Sequence, residues 1–159
     1  MTEEARETIN RLIDRFPKKE SALLPVLTLL QKRNGYISEN DLKDISGILD
    51  IPEARIFSTA SFYTMLRLKP VGKYHIQVCT NVVCVLLGSD AIFDYLSKKL
   101  NIHEGEITPD GLFSITAVEC LASCGNAPAM QINMEYHENL DTGKVDEIID
   151  SIRKREGSK

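Results

Sequence analysis

Cys79, Cys84, Cys120 and Cys124 are the only cysteines in this 159-residue chain, and they follow the pattern C-x4-C-x35-C-x3-C. Two close pairs, separated by a segment long enough for a helix and a strand, can bring four thiolates together from two loops. Cysteines that were merely small buried residues would not be expected to crowd into 46 positions in this way. Three chemistries compete with that bland reading. A structural zinc site takes four thiolates tetrahedrally but favours tight C-x2-C knuckles, which this pattern lacks. A redox dithiol of the C-x-x-C type lacks its motif. A [2Fe–2S] cluster needs two thiolates on each of two irons, and two pairs meet that demand. Such a cluster is doubly negative when oxidised and triply negative when reduced, so it needs donors close by. Gly88, Ala122, Ser123 and Gly125 beside the candidate ligands let backbone N–H groups approach the sulfurs. Glu119, next to Cys120, reads as a solvated loop residue.

The elements that must position these residues follow from periodicity. The first 70 residues read as four short amphipathic helices in a small bundle. Ile9, Leu12, Ile13 and Phe16 mark the first, with Glu3, Glu4 and Glu7 at its start. The second runs from near Ser21 to Asn34-Gly35, with Pro25 close to its first turn. Ser38 and Asp41 look like an N-cap arrangement for the third, whose Leu42, Ile45, Ile48 and Leu49 turn inward. Pro52 suits the first position of the fourth, which runs through Ile56, Thr59, Ala60 and Tyr63. Phe57, Phe62, Tyr63 and Met65 are expected in a core or an interface.

Pro70-Val71-Gly72 is the expected boundary, giving a helical docking region over 1–72 and a second domain over 73–159. Beyond it the period changes. Tyr74, Ile76 and Val78 alternate with His75 and Gln77 in a strand that leads into Cys79. Ile92, Phe93, Leu96 and Leu100 mark a helix from near Gly88-Ser89, and Thr108–Gly111 a turn. A strand over Leu112–Val118 precedes the loop Glu119–Pro128 that holds Cys120 and Cys124. Ala129–Asn133 and Glu135–His137 form a hairpin, and Val145, Ile148, Ile149 and Ile152 line a last helix. Both cysteine pairs follow a strand and are expected on loops. Arg153–Lys159 reads as a frayed charged tail. The fold class is therefore α+β, with a β-α-β-β-β-α second half whose connectivity resembles the thioredoxin-like fold.

Composition is that of a soluble globular protein: 43% hydrophobic and 26% charged residues, with a net charge of −4. Residues 1–72 carry 11 basic and 10 acidic side chains, residues 73–159 carry 8 and 13. An acidic cysteine-bearing half argues against nucleic-acid binding. Apolar runs are too short to span a bilayer, and MTEEARETIN is not a signal sequence. A cytoplasmic location is expected, where clustered cysteines bind metal more often than they form disulfides. The chain has no G-x-G-x-x-G loop to cradle FMN, FAD or NAD, so it is not expected to oxidise NADH alone. His75, His103 and His137 are dispersed, and exposure in a strand or loop accounts for them.

The segments VGKYHIQVCTNVVCVLLGSDAI and TPDGLFSITAVECLASCGNAPAMQI, with their spacing, resemble the 24-kDa-type subunit of NADH:quinone oxidoreductase (respiratory complex I). The same family serves NAD-linked [FeFe]-hydrogenases and formate dehydrogenases. The resemblance extends through FPKKESALLPVLTLLQKRNGYIS, FYTMLRLKP and EYHENLDTGKVDEII, nearly the whole chain. It implies a thioredoxin-like [2Fe–2S] ferredoxin in which Cys79 and Cys84 hold one iron and Cys120 and Cys124 the other. It implies no catalytic residue in this chain. FMN and NAD(H) belong to a partner subunit that carries the NADH site, beside further iron–sulfur subunits. This chain would exchange single electrons with that flavin, in a peripheral arm at the cytoplasmic face of a membrane. The alternatives are the equivalent subunit of a soluble NAD(P)-dependent hydrogenase or formate dehydrogenase and, more remotely, a zinc-binding interaction module. Pro128 resembles the cis-proline position of thioredoxin folds. Family members often show CLGAC where this chain has Cys120-Leu121-Ala122-Ser123-Cys124, a change expected to leave ligation intact.

Overall fold

Helix α1 (Glu3–Ile13) begins where Thr2 Oγ1 accepts the Ala5 N–H at 3.4 Å and Glu3 and Glu4 meet the positive end of the helix dipole. The structure, a computed structural model, describes residues 2–157, and divides into the units Met1–Pro70 and Val71–Lys159.

In the first unit a 3-10 turn, Lys19–Ala22, feeds α2 (Leu23–Asn34). The second helix thus starts slightly later than Ser21, which leaves Pro25 in the first turn, where its missing N–H is not needed. Gly35 ends it with φ +83°, a left-handed cap that suits glycine. Ser38 and Asp41 form a reciprocal capping box for α3 (Glu39–Leu49). Pro52 is the residue before α4 (Glu53–Phe62), one position earlier than the sequence indicated. Ile9, Leu27, Leu30, Ile45, Leu49 and Ile56 fill the core of this bundle. Gln31 straps the chain after α4 onto α2: its amide donates to Met65 O at 2.8 Å and accepts the Arg67 N–H at 2.6 Å. Phe57, Phe62, Tyr63 and Met65 do not enter the core but stand exposed.

The second unit is a four-stranded sheet in the order β2-β1-β3-β4. Its strands are β1 (Tyr74–Cys79), β2 (Phe113–Val118), β3 (Met130–Ile132) and β4 (Glu135–His137). β1 pairs with β2 in parallel and with β3 antiparallel; β3 and β4 form the expected hairpin. A short helix, α5 (Val82–Leu86), lies between β1 and α6 (Ser89–Leu100), and α7 (Thr142–Gly157) closes the unit. Ile76, Val78, Leu96, Phe113, Ile115 and Ile149 form its core.

Two expectations fail here for physical reasons. His75, on β1, is buried at 6% exposure rather than solvated. Its Nδ1 lies 2.9 Å from Ser114 Oγ, which also accepts the Gly72 N–H at 2.9 Å. Arg153–Gly157, expected to fray, continue α7. Glu156 anchors that last turn by accepting from Tyr74 Oη at 2.8 Å and pairing with Lys73 Nζ at 2.5 Å. The remainder of the expected tail, Ser158 and Lys159, lies outside the described residues.

Gly72 enters β1 with no room for a side chain: a Cβ there would meet Phe113 C at 2.4 Å and Ser114 N at 2.7 Å. Both atoms are strand backbone and cannot swing aside. Gly72→Ala should therefore lower stability by about 1–3 kcal/mol, the usual cost of overpacking, read as a lower melting temperature of the apoprotein. An unchanged melting temperature contradicts this packing.

Candidate metal centre

Parallel pairing of β1 and β2 ends both strands at the same edge of the sheet. The register sets Cys79, the last residue of β1, opposite Val118, the last of β2, so Cys120 follows just beyond. Hydrogen bonds hold this edge closed: the Thr80 N–H donates to Val118 O at 2.9 Å, and the Cys79 N–H to Ala129 O at 3.1 Å. Cys79 is therefore strand, not loop, and Cys84 lies in helix α5. The second pair does sit on a loop, with Cys124 opening a single 3-10 turn, Cys124–Asn126. The Ala127–Pro128 bond that follows is cis, as the resemblance implied.

The four thiols differ in environment. Cys79 and Cys84 are buried, at 2% exposure each, whereas Cys120 and Cys124 are exposed. Burial pushes the Cys79 thiol up, but the N–H groups of Asn81 and Leu121 and the neighbouring thiols of Cys84 and Cys120 outweigh it, and its pKa falls below the ordinary value. Burial and the adjacent Cys79 raise Cys84, against the Ala129 N–H, which lowers it. Cys84 also senses charge on Cys124. All four sequence-predicted residues are thus brought within mutual influence. Among the described residues, no group of three or more His, Cys, Asp or Glu side chains is placed so that it could hold a metal ion.

The donors around the sulfurs also fit an anionic cluster. The Ala122 N–H reaches Cys120 Sγ at 3.3 Å, and Asn81, Leu121 and Ala129 supply the backbone bonds to Cys79 and Cys84. Of the positions singled out in the sequence, Ala122 plays the expected part. Gly88 does not: its N–H closes α5 onto Val85 O at 2.9 Å, and its φ of +96° caps α6. Asn81, Leu121 and Ala129 were missed, because backbone donors carry no side-chain signature. Glu119 is exposed, as expected.

The model of the thioredoxin-like [2Fe–2S] ferredoxin family matches residues 9–153. The chain belongs to this family. It is 39% identical over 151 residues to an E-type subunit of NADH-quinone oxidoreductase from Rhizobium meliloti (strain 1021), covering 95% of this chain and 90% of that protein. The E-type subunit of the NADH-quinone oxidoreductase of Rickettsia bellii (strain RML369-C) is 44% identical over 145 residues, covering 89% of this chain and 87% of its own. Among solved structures, the air-oxidized NAD+-reducing [NiFe]-hydrogenase superposes with a TM-score of 0.74 at 26% identity over 84% of this chain. This chain spans only 23% of that one. The hydrogenase found is thus a [NiFe] enzyme, where the sequence resemblance had pointed to [FeFe] relatives.

The loop between Cys120 and Cys124 carries local strain. Ala122 holds φ +57°, a left-handed conformation in which Cβ crowds the backbone. Ala122→Gly should raise apoprotein stability by about 1 kcal/mol, seen as a higher urea midpoint with the slope unchanged. A lower midpoint would show that the left-handed turn carries no strain.

Proposed function

We propose that Cys79 and Cys84 bind one iron, and Cys120 and Cys124 the other, of a single [2Fe–2S] cluster. We propose that the chain is the electron-transfer component that exchanges single electrons with the FMN of a NADH-oxidising partner in NADH:quinone oxidoreductase. The observation that carries this reading is the meeting of two thiol pairs at one sheet edge, with backbone N–H groups directed at three of the sulfurs. When bound, the cluster supplies a one-electron carrier, whereas NADH delivers a hydride; the flavin that converts one to the other belongs to the partner. In this chain, β1 and α5 keep water from the first thiol pair, while the second pair faces outward, where an electron can pass.

Two surfaces suit the partners. Around Cys84, helix α5 leaves Val82, Leu86 and Leu87 at 64%, 80% and 56% exposure. In the helical region, Phe62 and Met65 are 77% and 66% exposed. Apolar groups so exposed are the kind that protein interfaces cover. The helical region, 1–72, supplies no candidate ligand and is assigned the docking role. No helix among the described residues is long and apolar enough to cross a membrane. A second reading, the equivalent subunit of a soluble NAD(P)-dependent hydrogenase, is favoured by the hydrogenase superposition. Co-purifying subunits separate the two: quinone-reductase membrane subunits for the first, a hydrogen-activating subunit for the second.

Replacing Cys84 or Cys120 by Ser should shift or abolish the visible absorption and the paramagnetic signal of the reduced protein; an unchanged spectrum removes that residue from the ligand set. The double variant Phe62→Asp, Met65→Asp should keep its colour but lose at least tenfold in recovery of the flavin-bearing partner. Normal co-purification would remove the docking role from this surface.

A further inference from the structure

The segment that follows β4 is fastened to the loop that bears the exposed thiols. Ser123 Oγ donates to Glu138 Oε1, Asn126 Nδ2 donates to Glu138 Oε2 at 3.1 Å, and the Asn139 N–H donates to Asn126 O at 2.7 Å. One half-buried carboxylate therefore brackets Cys124, which stands between Ser123 and Asn126. From the side of α7, Lys144 Nζ donates to Glu138 O at 2.6 Å and holds the residue in place. Cys120, Ala122, Cys124, Gly125 and Asn126 are all exposed, so apolar packing does little to fix this loop. Hydrogen bonds must do it, and those to a carboxylate are roughly twice as strong as neutral ones.

We propose that Glu138 is a positioning residue for the exposed half of the centre. It acts through Ser123 and Asn126: the two bonds keep the Cys124 turn in its ligating shape, and the negative charge opposes the arrival of an electron nearby. The inference rests on the ligand assignment made above. Glu138→Ala removes both bonds and the charge; Glu138→Gln removes the charge but can keep both partners, its amide oxygen accepting from Asn126 Nδ2 and its NH2 donating to a reoriented Ser123 hydroxyl.

The test compares full-length wild-type and variant proteins, prepared anaerobically and checked for folding by far-ultraviolet circular dichroism. Two readouts are followed: bleaching of the visible spectrum by an iron chelator, and the midpoint potential by titration of the paramagnetic signal. Glu138→Ala is expected to bleach about tenfold faster than wild type, and Ser123→Ala, which loses one bond, at an intermediate rate. Glu138→Gln, whose bonds are neutral and weaker, should bleach at a rate between wild type and Glu138→Ala, with a more positive midpoint. At the wild-type midpoint its reduced-to-oxidised ratio should be about ten to one, a shift of about 59 mV for one electron. If Glu138→Ala does not fold, an intermediate rate for Ser123→Ala carries the positioning claim and a wild-type rate overturns it. Wild-type bleaching in a folded Glu138→Ala, or a wild-type potential in Glu138→Gln, likewise overturns the assignment while leaving the cluster in place. A wild-type protein with no iron–sulfur spectrum would instead bring down the ligand assignment, and this inference with it.

Discussion

The parallel pairing of β1 with β2 is the constraint on which the centre depends. Six residues of each strand run in register from Tyr74 with Phe113 to Cys79 with Val118, so their ends emerge side by side. Cysteine pairs separated by 35 residues in sequence become neighbours because a helix returns the chain to start the second strand alongside the first. An antiparallel pair would have sent Cys79 and Cys120 to opposite edges of the sheet. β3 completes the arrangement from the other side of β1, where Ala129 both accepts the Cys79 N–H and bonds to Cys84.

Burial alone would oppose charged sulfur at Cys79 and Cys84, since taking a thiolate out of water raises its energy. The backbone offsets this. Amide groups from the turns after β1 and β2, and from the start of β3, are fixed by the fold and directed at the sulfurs before any charge arrives. They need no side chain and impose no net charge. The outer pair needs less of this help because water reaches it; there the shape of the loop is the harder problem, solved by hydrogen bonds in a stretch that has little to pack against. The centre thus has a dry half set by the sheet and a wet half set by a loop.

Much of this was legible in the residues themselves. The switch from helical spacing to strand runs past Pro70-Val71-Gly72, the capping box of Ser38 and Asp41 and the β3–β4 hairpin all follow from local pattern, and the structure has each of them. The paired spacing of the cysteines pointed to the cofactor. What escaped was set by tertiary context. Val82–Leu86 is too short for periodicity to reveal a helix. His75 looked polar and therefore outward, but tertiary packing buries it, and Ser114 across the parallel pairing gives its ring a partner. Arg153–Gly157 looked like tail because the charge of Glu156 is taken up by Tyr74 and Lys73, distant in sequence. Phe57, Phe62, Tyr63 and Met65 carry the apolar signature of a core yet face outward; a single chain's pattern cannot separate an apolar core from an apolar interface.

The central claim is that the four cysteines bind two irons bridged by two sulfides. Metal and acid-labile sulfide analysis of anaerobically purified protein tests it most directly. Two irons and two sulfides per chain are expected, lost together when the cysteines are removed. One zinc per chain without sulfide would contradict it.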